Sequence, residues 1–167
     1  SFDLIAGLPG QTLADWARNL DEALAMEPEH LSLYLLEVHQ GTPLAEQLRS
    51  GRRPMPDEDA AAAMYEVLLD RTASVGLIQY EISNFARPGF ESRHNTKYWR
   101  LKPVYGFGVS ANSFDGVSRC WNERDTAAYV KRIEETSSAI AGCEDIDAAS
   151  EFVFLGLRLD QGIDLAE

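Results

Sequence analysis

The sequence is short of cysteine, histidine and positive charge, and it has no long apolar run. Cys120 and Cys143 are its only thiols, and they do not stand at metal-knuckle spacing. Two free thiols in a reducing compartment are therefore the expected state. The three histidines are scattered, and no serine–histidine–aspartate or cysteine–histidine arrangement can be assembled around them. Fifteen basic residues face 27 acidic ones, a net charge of −12. That balance excludes a general nucleic-acid binder, because the phosphate backbone would be repelled. It equally disfavours docking to an anionic membrane surface. No stretch approaches the ~18 apolar residues a membrane span needs. With 45% apolar and 25% charged residues, the chain has the composition of a folded globular protein. It opens on Ser1 directly into an apolar strand and stops just after a new apolar segment. It is therefore expected to be part of a longer protein.

What is present alternates. Phe2 to Gly7 is a short apolar run closed by Gly-Leu-Pro-Gly, the pattern of a buried strand and a turn. Thr12 and Asp15 form a capping-box pair ahead of Leu13, Trp16, Leu20 and Leu24, which recur at helical spacing. Leu31 to Leu36 reads as a second strand. Thr42 and Pro43 begin a short helix that runs to about Arg49, and Asp57 begins a longer one stopped at Gly76. Leu77 to Ile82 is a third strand. This strand–helix repetition predicts an α/β protein with parallel strands. Further on, Ser92 caps a short helix through Arg100, and Val117 to Trp121 reads as a strand. Asp125 to Glu135 and Glu151 to Leu159 read as helices, the last one opening a further domain.

Candidate chemistry is thin until residue 93. Asp3 is an ionisable group in an apolar strand, either functional or simply exposed at the strand start. Glu37 ends the second strand, and Glu81 lies within the third next to Tyr80. The densest cluster is Arg93-His94-Asn95-Thr96-Lys97-Tyr98-Trp99-Arg100. On a helix, His94 shares a face with Tyr98, and Asn95 with Trp99. An imidazole beside a phenol, flanked by an indole, suits a metal or heme iron and a flat macrocycle. An ordinary amphipathic helix with a hydrogen-bonded histidine is the plainer alternative. Arg87, Arg93, Lys97, Arg100 and Lys102 form a local basic run that would face carboxylates or merely solvent. Gly106 to Ser113 has the glycines of a nucleotide-approach loop but neither a dinucleotide fingerprint nor a P-loop. His30 and His39 are read as structural.

Taken in order, DLIAGLPGQT, HLSLYLLEVHQGTPL, YEISNFARPGFESRHNTKYW and YGFGVSANSF resemble the radical S-adenosylmethionine family of oxygen-independent coproporphyrinogen III oxidase and its HemW relatives. The HNxxYW element points to the heme-chaperone branch rather than the oxidase. The resemblance implies an α/β fold: the last strands of a partial (β/α)6 barrel plus an α+β extension over residues 1–145. It implies the start of a C-terminal domain over residues 146–167. It further implies that Asp3, Glu37, Ala111 and Asn112 contact S-adenosylmethionine, and that His94, Asn95, Tyr98 and Trp99 are associated with heme.

The family's CxxxCxxC motif, which holds a 4Fe–4S cluster, is absent, as is its glycine-rich segment. This chain is therefore expected to bind no cluster, to contain no catalytic residue and to be inactive in radical chemistry by itself. The intact protein is expected in the cytoplasm, using S-adenosylmethionine and a 4Fe–4S cluster and passing heme to a client hemoprotein. An unclosed barrel would leave a sheet edge open to oligomer formation. The alternatives are the oxidase, which decarboxylates coproporphyrinogen III, and a cofactor-free α/β interaction domain.

Overall fold

The computed structural model describes residues 1–164. Two compact units follow one another along the chain, the first over Ser1–Glu91 and the second from Ser92 onward. The last three residues of the segment expected to open a further domain lie outside the described residues.

The first unit is a four-stranded sheet covered by helices. β1 (Phe2–Ala6) leads through α1 (Leu13–Leu24) to β2 (His30–Leu35). α2 (Pro43–Arg49) and α3 (Glu58–Ser74) follow, then β3 (Ile78–Glu81) and β4 (Asn84–Ala86). The helix starts are those the capping residues predict. Thr12 accepts from the Asp15 main chain at 3.1 Å, while the Asp15 carboxylate accepts from the Thr12 main chain at 3.2 Å. The Thr12 hydroxyl, with Arg18 assisting, holds the Asp15 carboxyl down to about 2. Thr42 and Asp57 cap α2 and α3 in the same way.

Ala6, Leu31, Leu33 and Phe85 pack against Trp16 and Leu20 of α1 and Met64 and Leu68 of α3. Trp16 is fully buried and donates its indole N–H to the Met64 carbonyl at 2.8 Å. A fully buried aromatic of this size contributes roughly 2–3 kcal/mol of hydrophobic stabilisation.

The strand order, β1-β2-β4-β3, corrects the expectation of parallel strands throughout. β1 and β2 are parallel, but β4 runs antiparallel to both β2 and β3. The reason is local. Only two residues, Ile82 and Ser83, separate β3 from β4, so the chain turns back on itself. β4 thereby takes the place beside β2 that a parallel β3 would have occupied. β1 pairs on one side only among the described residues, so the sheet has the open edge the sequence suggested.

The second unit holds α4 (Arg93–Trp99), a three-stranded antiparallel sheet and two further helices. The sheet has the order β5 (Asn112–Phe114), β6 (Ser118–Asn122), β7 (Ile140–Asp145). α5 (Thr126–Thr136) connects β6 to β7, and α6 (Ala148–Gly156) follows. Cys120 and Cys143 are direct partners across β6 and β7 and are joined as a disulfide. That corrects the expectation of two free thiols. Separation along the sequence hid a pair that the antiparallel register places side by side, with Cα atoms 4.0 Å apart.

Candidate functional site

In the first unit, strand alternation decides where the polar groups go. Leu31 and Leu33 face the helices, so Ser32 between them faces the other side. The register aligns Asp3 with Ser32, Ser32 with Asn84, and Asn84 with Glu81. Four polar side chains thus form one row across all four strands. A register shift between Gln79 and Glu81 brings Glu81 into that row. Asp3 is exposed, while Ser32, Asn84 and Glu81 are buried. Glu81 accepts from the Ser83 main chain at 3.0 Å and from the Asn84 amide. His30 stands next to this row. It bonds the Tyr80 hydroxyl at 2.8 Å and the Ser1 hydroxyl at 3.0 Å. Burial pushes its imidazole below the usual histidine value, against the nearby charges of Asp3 and Glu81. His30 is the first residue of β2, its ring held between two hydroxyls.

Asp3 and Glu37 do not come together. Asp3 pairs near the start of β1, whereas Glu37 lies two residues beyond the end of β2. Five residues of extended chain separate the Ser32 level from Glu37, roughly 16 Å. Glu37 is exposed, with the exposed His39 imidazole 3.7 Å from its carboxylate.

In the second unit, Ser92 caps α4 by accepting from the Asn95 main chain at 3.2 Å. This sets the helical phase of the HNxxYW residues. His94 and Tyr98 then meet edge to face, with ring centroids 4.9 Å apart. Both are exposed, so the imidazole is open to a ligand. Trp99 points elsewhere on the helix and is half-buried. The Arg158 guanidinium lies over its ring at 4.3 Å. Its indole N–H is buried without an acceptor, a condition that costs roughly 1–3 kcal/mol.

Tyr98, Trp99, Leu101, Phe114 and Leu155 form the apolar walls of a cavity of about 410 Å³. Lys102, Asn112, Ser113 and Arg119 complete it. Arg119 is already engaged: its two terminal nitrogens donate to both Glu151 carboxylate oxygens at 3.0 and 3.1 Å. That pairing holds the guanidinium pKa above its ordinary value. Tyr98, Trp99 and Asn112 are therefore brought together at one cavity, with His94 adjoining through Tyr98. Asn95 and Ala111 are not among its lining residues. The Ala111 N–H donates to Gly108, and its carbonyl accepts from Asn122. The glycine loop before β5 folds onto its own strand. Val104 bridges Phe114, and the Gly106 N–H donates to the Ser113 hydroxyl at 2.9 Å.

Sequence reasoning gave no role to Phe114, Arg119 and Leu155, which line the cavity. They come from three elements distant along the chain, and only the sheet and α6 gather them. The one available signal was Lys102, noted within the basic run.

No family model matches the chain. Curated relatives do match. A heme chaperone HemW from Mycobacterium tuberculosis is 38% identical over 169 residues, which cover 99% of this chain and 43% of the relative. A heme chaperone HemW from Bacillus subtilis is 36% identical over 98% of this chain and 44% of its own length. The chain belongs to the HemW-like family. A radical S-adenosyl methionine domain-containing protein 1 from zebrafish, Danio rerio, is a further relative at 32% identity over 98% of this chain. The HemW-like chain spans less than half the length of these relatives. Among solved structures, the coproporphyrinogen III oxidase HemN of Escherichia coli, a radical SAM enzyme, superposes with a TM-score of 0.76. That likeness covers 95% of this chain and 40% of HemN at 22% identity, and it shows the fold.

Proposed function

We propose that this chain is the C-terminal part of the catalytic domain of a HemW-like heme chaperone, and that it carries the residues that hold heme for delivery to a client hemoprotein. The observation that carries the reading is the exposed His94–Tyr98 pair on α4, set beside a largely apolar cavity that Tyr98 and Trp99 line. The imidazole offers a nitrogen to iron, and the flanking rings offer a flat apolar surface to a macrocycle. Heme is cargo here, so the chain's task is to bind it reversibly and not to transform it. Relatives named as heme chaperones support this reading over the oxidase, since the likeness to HemN is one of fold.

The four-stranded sheet with its helices is read as the closing strands of a partial barrel. S-adenosylmethionine in the intact protein would meet the exposed Asp3 on the edge strand β1, and Glu37, Ala111 and Asn112 remain the proposed further contacts. A 4Fe–4S cluster does not fit this chain. Its two cysteines are bonded to each other, and the described residues contain no group of three metal-ligating side chains. The cluster would be held elsewhere in the protein. No helix among the described residues is long and apolar enough to cross a membrane. We place the intact protein in the cytoplasm.

Hemin titration followed by Soret absorption tests the reading. The wild-type chain should bind hemin with one-to-one stoichiometry, and His94→Ala should lower the affinity at least tenfold and shift the Soret band. Equal affinity and identical spectra for the two proteins would remove His94 from the site.

A further inference from the structure

Two residues that line the cavity on the flank of α4, Trp99 and Lys102, carry hydrogen-bond donors without an acceptor among the described residues. The Trp99 indole N–H is buried and unpaired. The Lys102 ammonium forms no ion pair among the described residues, while Arg119, the other cation in the cavity, is neutralised by both oxygens of Glu151. Two of the neutral polar groups are engaged. The Asn112 amide donates to the Ser110 carbonyl, and the Ser113 hydroxyl accepts from the Gly106 N–H. The walls are otherwise apolar, and the volume of about 410 Å³ lies within the range of small-molecule sites. An apolar chamber with one free cation and one orphaned N–H suits an anionic acceptor carried on an apolar frame.

We propose that this cavity receives a carboxylate-bearing edge of the ligand, with Lys102 and the Trp99 indole N–H as the carboxylate's partners. The inference rests on the heme-binding reading and deepens it. His94 would address the iron, and Lys102 and Trp99 would address a propionate, so the site would read the orientation of the macrocycle as well as its metal. Lys102 is then a specificity-determining residue. It separates ligands with free carboxylates from those without.

The experiment compares hemin with hemin dimethyl ester, whose carboxylates are masked, in the same mixed solvent. Each is titrated into the wild type, Lys102→Met and Lys102→Arg. Lys102 is exposed, so these substitutions leave folding intact, which circular dichroism verifies. The wild type should prefer hemin about tenfold. Lys102→Met should lose that preference by weakening hemin alone, and Lys102→Arg should restore most of it. Wild-type binding without preference for the free acid, or an unchanged preference in Lys102→Met, overturns this inference and leaves the heme reading standing. Failure of the wild type to bind either compound overturns both.

Discussion

His94 and Tyr98 stand one helical turn apart and meet at 80° between ring planes, although neither is buried. A ring contact on the surface adds little to folding, so its value lies in fixing the imidazole's orientation. Tyr98→Ala should change stability by less than about 1 kcal/mol. It should nevertheless weaken hemin binding roughly tenfold, the ~1.4 kcal/mol scale of one lost ordering contact. Tyr98→Phe keeps the ring and should bind like the wild type. Urea denaturation and Soret titration on the same preparations separate the two effects.

Trp16 joins α1 to α3 through both packing and a hydrogen bond. Replacing it with Phe removes the N–H and part of the ring, and should cost about 1–2 kcal/mol. Trp16→Ala should cost about 3–5 kcal/mol, because a cavity is left in the core. The urea midpoint of the first unit reports both.

His30 predicts a pH dependence of definite sign. Its folded pKa lies below the ordinary value of 6.5, mainly through burial. The unfolded chain therefore binds a proton more readily than the folded one. Stability is full above pH 6.5 and falls as the pH drops from there through the folded value. His30→Gln should flatten that slope, measured as urea midpoints at pH 8, 7, 6 and 5.

The Cys120–Cys143 disulfide closes a loop with a sequence separation of 23. Chain entropy then contributes about 3 kcal/mol to the oxidised form. Reduction with a thiol reagent should lower the hydrogen-exchange protection of β6 and β7 accordingly. β1 and β2 have their own core and should be unaffected.

Much of this fold was legible because helix starts are written locally. Thr12, Thr42, Asp57, Ser92 and Asp125 each cap the helix their sequence context announces. Strand order was not legible. β4 is three residues long, and its place between β2 and β3 depends on pairing across the sheet rather than on any local signal. β7 escaped for the opposite reason. Its sequence, IAGCED, is mostly exposed and lacks the alternation of a half-buried strand. For the site, the HNxxYW residues could be placed on a helix from their spacing. The cavity beside them could not be foreseen, since Phe114 and Leu155 approach Trp99 only once the second unit has folded.

Gly106 carries a burden that its place outside the cavity conceals. A Cβ there would stand 2.2 Å from the Asn112 main-chain oxygen, a distance no side chain tolerates. Asn112 opens β5, which supplies three of the cavity's lining residues. Any larger residue at 106 must displace the strand, and with it one wall of the chamber. The shape of the cavity is thus held partly by a hydrogen atom that does not line it. In a selection for heme binding, position 106 should behave as though it were inside the site, accepting glycine and rejecting even alanine.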